Sequence, residues 1–310
     1  MQNYSALFGD GNLTAVRFST SIPLQSTTVV ATVRQAVGII SIVVSTFVLF
    51  ILLSMRKFTL EMSNLTALTV SSQLQGIGSL VTGIRFAYIR HRAYTPTVLA
   101  SECLLTYADI SLGHLNYLLR PLLFVHVGVM GMVIAFAKPY RSKKLRKVNM
   151  ASLIAVLIIS LLYLASVWLE IFFIYSNWFV SQRCEYWTSI PLHHQQIQKY
   201  MYMFGVGSST ALLCTVLLAK RCGRKEILNM AEVEGLRRLL FFGIVGLVFR
   251  GCPMAAGFFL PRTPTVYTVR MLLYLTDDSL CVCYCAAYCY LHPDIRDYIV
   301  DLWSLVADTF

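Results

Sequence analysis

From Ala36 to Met55 the chain carries no Asp, Glu, Lys or Arg, and the run closes on Arg56-Lys57. About 20 helical residues, rising about 1.5 Å each, cross the roughly 30 Å hydrocarbon core of a bilayer. A charge-free run of this length predicts a transmembrane helix. Six further stretches are of comparable length: 64–84, 109–136, 151–173, 200–219, 239–260 and 266–291. Composition points the same way. Charged residues make up 13% and apolar residues 57%, whereas a soluble domain carries roughly 25% charge to wet its surface. Mean hydropathy is +0.65. These values exclude a soluble enzyme, a disordered tail protein and a secreted disulfide scaffold. The expected fold class is an all-α membrane protein, a seven-transmembrane helix bundle over 36–291.

Residues 1–35 are expected outside the bundle, without the apolar core of a signal peptide. They hold two N-glycosylation patterns, Asn3-Tyr4-Ser5 and Asn12-Leu13-Thr14, which favour an outer N-terminus. A third match, Asn64-Leu65-Thr66, falls at a predicted membrane edge and is read as accidental. Basic residues agree with an inner C-terminus. Lys138, Arg141, Lys143, Lys144, Arg146 and Lys147 lie in one loop, and Lys220, Arg221, Arg224 and Lys225 in another. Arg85, Arg90 and Arg92 go against this orientation. The net charge of +11 is therefore read as topology charge attracting anionic membrane lipids, not nucleic acid.

After residue 291, His292-Pro293-Asp294 starts a new helix, with proline and an acid suited to the first turn. Ile295, Tyr298, Ile299, Leu302, Trp303 and Val306 then recur at helical spacing. The segment 292–310 is expected to form an amphipathic helix on the membrane surface, Trp303 at headgroup level.

Ionisable groups at bilayer depth are costly and normally face the bundle interior. Counting along each helix puts Arg120, Arg250, Asp277 and Asp278 at roughly 15–18 Å from the outer end. Two readings are open for this shared level. It is a structural ion cluster orienting the third, sixth and seventh helices, or it floors a ligand cavity and acts as a latch. Asn116, Tyr117, Met203, Met254, Phe258 and Tyr274 are candidate ligand contacts above it, aromatic and thioether side chains suiting a small, mostly apolar ligand. Each is more often, by residue type, a plain packing residue. Leu112, Gly207, Tyr267 and Met271 belong to the same region. Cys281, Cys285 and Cys289 share one helical face but are strung over about 12 Å of axis, too far apart for one ion. The histidines form no His-x-x-x-His or Glu-x-x-His pattern. No metal, no cofactor and no enzymatic activity are expected.

Seven spans, a sequon-bearing outer N-terminus, short loops and a final surface helix resemble the rhodopsin-like (class A) G-protein-coupled receptors. At the end of the third span, Ala135-Phe136-Ala137-Lys138-Pro139-Tyr140-Arg141 is similar to the A-I-C-x-P-L-R of odorant receptors, most like a divergent fish-type branch. The resemblance implies a plasma-membrane chemosensory receptor. It would bind a small odorant-like ligand from outside and signal to a heterotrimeric G protein by helix rearrangement. It also implies a disulfide between Cys103, just before the third span, and Cys184, in the loop after the fourth. Cys103 stands about one turn earlier than the family spacing. The family's acidic-Arg-Tyr triplet falls here on Gly131-Met132-Val133, so the arginine that meets the G protein is missing. The sixth span keeps a proline, Pro253, without the family's preceding tryptophan. The competing reading is a transporter or channel using Arg120, Arg250, Asp277 and Asp278 as a relay.

Overall fold

The structure is a computed structural model that describes residues 24–55, 59–90, 97–136, 142–181, 184, 189–222, 230–253, 256, 283, 287–288 and 290–307, some by backbone alone. Its helices are α1 (Leu24–Ser54), α2 (Leu60–Arg90), α3 (Ala100–Thr106), α4 (Ala108–Phe136), α5 (Ser142–Phe173), α6 (Leu192–Cys222), α7 (Met230–Gly246) and α8 (Pro293–Ala307). A π turn, Leu247–Gly251, continues α7. Strands β1 (Thr97–Leu99) and β2 (Phe179–Ser181) pair antiparallel, Val98 opposite Val180.

The protein is mostly helical. Among the described residues, four helical segments are long and apolar enough to cross a membrane: Thr28–Ser54, Ala108–Val133, Lys144–Phe173 and Leu192–Leu218. The sequence reading expects seven. α2 has the length, but a polar stripe lowers its hydropathy. α7 ends as an α-helix at Gly246. Most of 266–291 lies outside the described residues. α1 begins at Leu24, ahead of the span expected from residue 36, and Val30 and Ala31 are already buried. Arg34 does not end the helix, because its guanidinium lies 5.8 Å from the Phe86 ring centroid on α2.

α4 is central and touches α2, α5, α6 and α7. One apolar core joins Ile51 and Leu52 of α1, Leu65 of α2, Phe124 of α4, Tyr202 of α6 and Leu239 of α7. A second core surrounds Cys103, Cys184, Ile110, Val167 and Ile171. The outward faces are also apolar, as at Ile40, Phe47 and Phe50 of α1 and Ile158 and Leu162 of α5. A soluble monomer rarely exposes such a belt, which suits contact with lipid.

Local signals place the ends. Thr59 caps α2, its hydroxyl accepting from Met62 N–H at 3.2 Å, and Glu61 in the first turn favours the dipole. The expected amphipathic helix is present as α8. Ile295 is buried, Tyr298 and Ile299 pack on the main core, and Val300 and Trp303 face outward. Cys252 N–H bonds to Leu247 C=O, five residues back, immediately before Pro253. A π turn beside a proline is a recognised place for a helix to bend.

Two glycine contacts set helix spacing. A Cβ on Gly38 would lie 2.7 Å from Leu80 N and 2.9 Å from Gly76 C=O, so α1 and α2 meet backbone to backbone. A Cβ on Gly205 would lie 2.7 Å from Pro121 C=O, which fixes the α4–α6 approach. Small residues at helix contacts permit such packing. Gly38→Val is expected to destabilise the protein by about 1–3 kcal/mol, since overpacking must move a backbone. Gly207→Val, at an open position, should change little. Thermal unfolding of the two purified variants in one detergent checks the contrast.

Candidate functional site

On α2, Asn64, Ser71, Gln75, Thr82 and Arg85 are spaced to share one face. α4 answers with Asp109, Asn116 and His126, running the opposite way. Buried polar groups in an apolar bundle need partners, and these two faces supply them to each other from end to end.

At the disulfide end, Arg85 Nη2 donates to Asp109 Oδ2 at 2.6 Å, with side chains 6% and 1% exposed. Thr82 donates to the same oxygen at 2.6 Å. Asp109 sits in the first turn of α4, where the helix dipole also favours an anion. Arg85 Nη1 donates to Cys184 C=O at 3.0 Å, and its guanidinium lies 4.7 Å from the Tyr107 ring centroid. Cys184 has φ +46°, a left-handed conformation that a residue with a side chain seldom adopts. It is held there by Arg85 and by its disulfide to Cys103, the Cα atoms 5.5 Å apart.

Midway, Asn116 accepts from Ser71 and donates to Gln75 Oε1 at 2.6 Å. Further on, His126 Nε2 meets Asn64 Oδ1 at 3.2 Å and Asn149 Oδ1 at 3.0 Å, while Nδ1 meets the Ser152 hydroxyl at 2.9 Å. Two carbonyl partners at Nε2 assign its hydrogen there, leaving Nδ1 to accept from Ser152. Asn149 donates to Ser63 at 2.7 Å, so α5 joins the seam. Beyond it, Arg238 of α7 grips Glu61 of α2 with two bonds, Nε–Oε1 at 2.8 Å and Nη2–Oε2 at 3.0 Å. The parallel pair of charge-assisted bonds makes this a geometrically specific contact. Gly235 leaves room for it, since a Cβ there would stand 3.2 Å from Glu61 Oε2.

A second cluster joins α5 to α6 near the disulfide. Glu170 Oε2 lies 2.6 Å from His194 Nε2, and the same carboxylate lies 3.1 Å from His193 Nε2. His194 Nδ1 meets the Tyr163 hydroxyl at 3.0 Å. Tyr163 also bonds Gln198, whose Nε2 donates to the buried His114 Nδ1 at 3.1 Å.

The expected ligand contacts are placed as follows. Arg120 is 1% exposed, on the central helix α4. Asn116 is buried, its amide taken up by α2. Tyr117 packs against the main core. Met203 is exposed on α6, where Tyr202 and Val206 hold the buried positions of that turn. Arg250 is described by backbone alone, within the π turn. Met254, Phe258, Tyr274, Asp277, Asp278, Asn3 and Asn12 lie outside the described residues. The disulfide joins Cys103 and Cys184 as the resemblance implied. Asn64 is 1% exposed and bonded to His126, so its sequon has no access to a glycan. Sequence reasoning missed Asp109, Glu61, Arg238 and the Glu170 cluster. The only advance signal was the unusual Ser/Thr/Gln content of α2.

No protein-family model and no curated protein matches this chain.

Arg85→Ala leaves Asp109 buried without its cation and is expected to cost about 3–5 kcal/mol. An Arg85→Met, Asp109→Leu double variant should recover most of that loss in chemical denaturation. A second expectation concerns pH. Burial pushes the His292 imidazole below its ordinary value, and Arg238 adds to this while Glu61 and Asp294 oppose it. A neutral folded imidazole gives stability that is complete above about pH 6.5 and declines as pH falls towards the lower folded value. Unfolding scans should show that decline, and His292→Gln should flatten it.

Proposed function

We propose that the chain is a seven-helix chemosensory receptor of the rhodopsin-like kind, with an outer disulfide end and signalling through displacement of α7 at the opposite end. One observation carries the reading: the polar seam that starts at the disulfide loop ends on α7, at the bidentate Glu61–Arg238 pair. A switch needs an element with two arrangements and a contact that differs between them. α7 has both, an ion pair midway along it at Arg238 and a π turn before Pro253 at its far end.

Three further features support it. Disulfides persist on the oxidising side of a membrane, so the Cys103–Cys184 end is the outer one. Arg85, which as a free cation argues against that orientation, is neutralised by Asp109 and drops out of the charge comparison. α8 lies against α1, with its acidic face and Trp303 exposed, in the manner of a surface helix at the inner rim. In this reading the resting state is held by Glu61–Arg238, in place of the latch the missing acidic-Arg-Tyr triplet would supply. A small ligand entering from the disulfide side biases α7 outward and opens a basic inner face to a heterotrimeric G protein.

The test uses the full chain in cells with a promiscuous G protein, surface delivery measured in parallel. Arg238→Ala and Glu61→Gln should each raise ligand-independent signalling. Couplings of about 1–3 kcal/mol predict a rise of roughly 5-fold or more. The exchanged pair, Glu61→Arg with Arg238→Glu, should return it towards the wild-type level. Basal signalling that stays unchanged in delivered variants, with ion current through the reconstituted protein, would replace the receptor reading with the transport one.

A further inference from the structure

We propose that Glu170, His193 and His194 form a binding site for a divalent transition-metal ion of the zinc class, at the disulfide end between α5 and α6. This inference stands independently of the receptor reading. One Glu170 oxygen and one nitrogen from each histidine all lie within 4.8 Å of one another. Zinc holds imidazole nitrogen and carboxylate oxygen at about 2.0–2.2 Å, so its ligand atoms stand roughly 3–4 Å apart around it. The observed separations, 2.6 and 3.1 Å to the carboxylate, need only a slight opening. Two imidazoles and one carboxylate are also a donor set that suits zinc and leaves room for water.

The surroundings are those of a ligand site. His194 is held by the Tyr163 hydroxyl on its Nδ1 and by edge-on packing with the Tyr163 ring, centroids 5.4 Å apart. A metal-bound histidine commonly has such a partner on its other nitrogen, fixing ring and tautomer. Its side chain is 7% exposed, so the ring is set in place, whereas Glu170 at 20% and His193 at 48% leave an entrance. The two histidines are neighbours at the start of α6, and their rings lie 4.3 Å apart. Glu170 comes from the last turn of α5. The site is thus made by tertiary packing.

In the metal-free arrangement both Nε2 atoms face Glu170, and hydrogens on them make those contacts. An ion takes the Nε2 lone pairs, and each ring carries its hydrogen on Nδ1 after exchange with solvent. That of His194 then points at the Tyr163 oxygen. The Tyr163 hydroxyl hydrogen turns to the His194 carbonyl, 3.5 Å away. The ion therefore reorders the bonds at Tyr163, one step inward from the rim.

The test measures zinc binding to the tag-free full chain in detergent micelles by competition with a chromophoric chelator. Wild type should bind one zinc per chain above background. His193→Ala, at the exposed position, and Glu170→Gln should each weaken binding about tenfold or more, and Tyr163→Phe about tenfold. Cobalt substituted for zinc should give the visible absorption of a four-coordinate ion, lost in His193→Ala. Equal zinc affinity in wild type and His193→Ala would overturn the site. So would the absence of zinc binding in wild-type protein that elutes as a single species with its disulfide intact.

Discussion

Hydrogen bonding between α2 and α4 is the constraint on which the rest of the bundle depends. Asp109, Asn116, Arg120 and His126 are all buried along one central helix, and each would destabilise an apolar interior if left to itself. α2 answers three of the four, with Arg85 and Thr82 on Asp109, Ser71 and Gln75 on Asn116, and Asn64 on His126. Shifting either helix by one residue would turn these groups away from one another. The seam therefore fixes register in a way that interchangeable Leu and Val contacts do not. The apolar core then fills in around it.

Other helices take their places relative to that pair. α1 joins α2 through the Gly38–Gly76 approach, and α6 joins α4 where Gly205 meets Pro121. Asn149 of α5 inserts into the seam beside His126. α7 differs, because its polar tie to the seam is made from mid-helix, by Arg238 to Glu61, and a π turn follows at Leu247–Gly251. A helix pinned midway and softened further along is suited to change its tilt while its neighbours keep theirs. The receptor reading uses that mechanical difference.

Much of the architecture was legible because long apolar runs are a strong local signal. Ala36–Ser54, Asp109–Phe136 and Ala151–Phe173 all fall inside helices. α8 was legible from Pro293-Asp294 and the spacing of Ile295, Tyr298 and Ile299. Helix starts were less so. α1 and α5 extend back through Arg34 and Lys144, cations that a hydropathy reading treats as boundaries but that a helix accommodates at its ends. Met203 looked inward by type, yet Tyr202 took the inward place, since one residue turns a helix by about 100°. Polar pairings were not legible at all. Arg85 reads as loop charge until Asp109 is brought to it, and Glu170 lies 23 residues from His193 in the chain. Such contacts are created by packing and have no periodicity to betray them.

The division of labour along α2 bears on how the chain is assembled in a membrane. In the receptor reading, helices enter the bilayer in order of synthesis, and α2 arrives with its amides and hydroxyls before α4 exists to receive them. Only α1 is present, and its glycine-mediated fit leaves the opposite, hydrophilic flank of α2 facing outward. The first two helices thus enter as a hairpin with an unsatisfied side, which insertion machinery or water must shelter until the fourth helix is made. Quality control that senses exposed polar groups would act at this step, and changes anywhere along the α2–α4 contact would first be felt as lost yield.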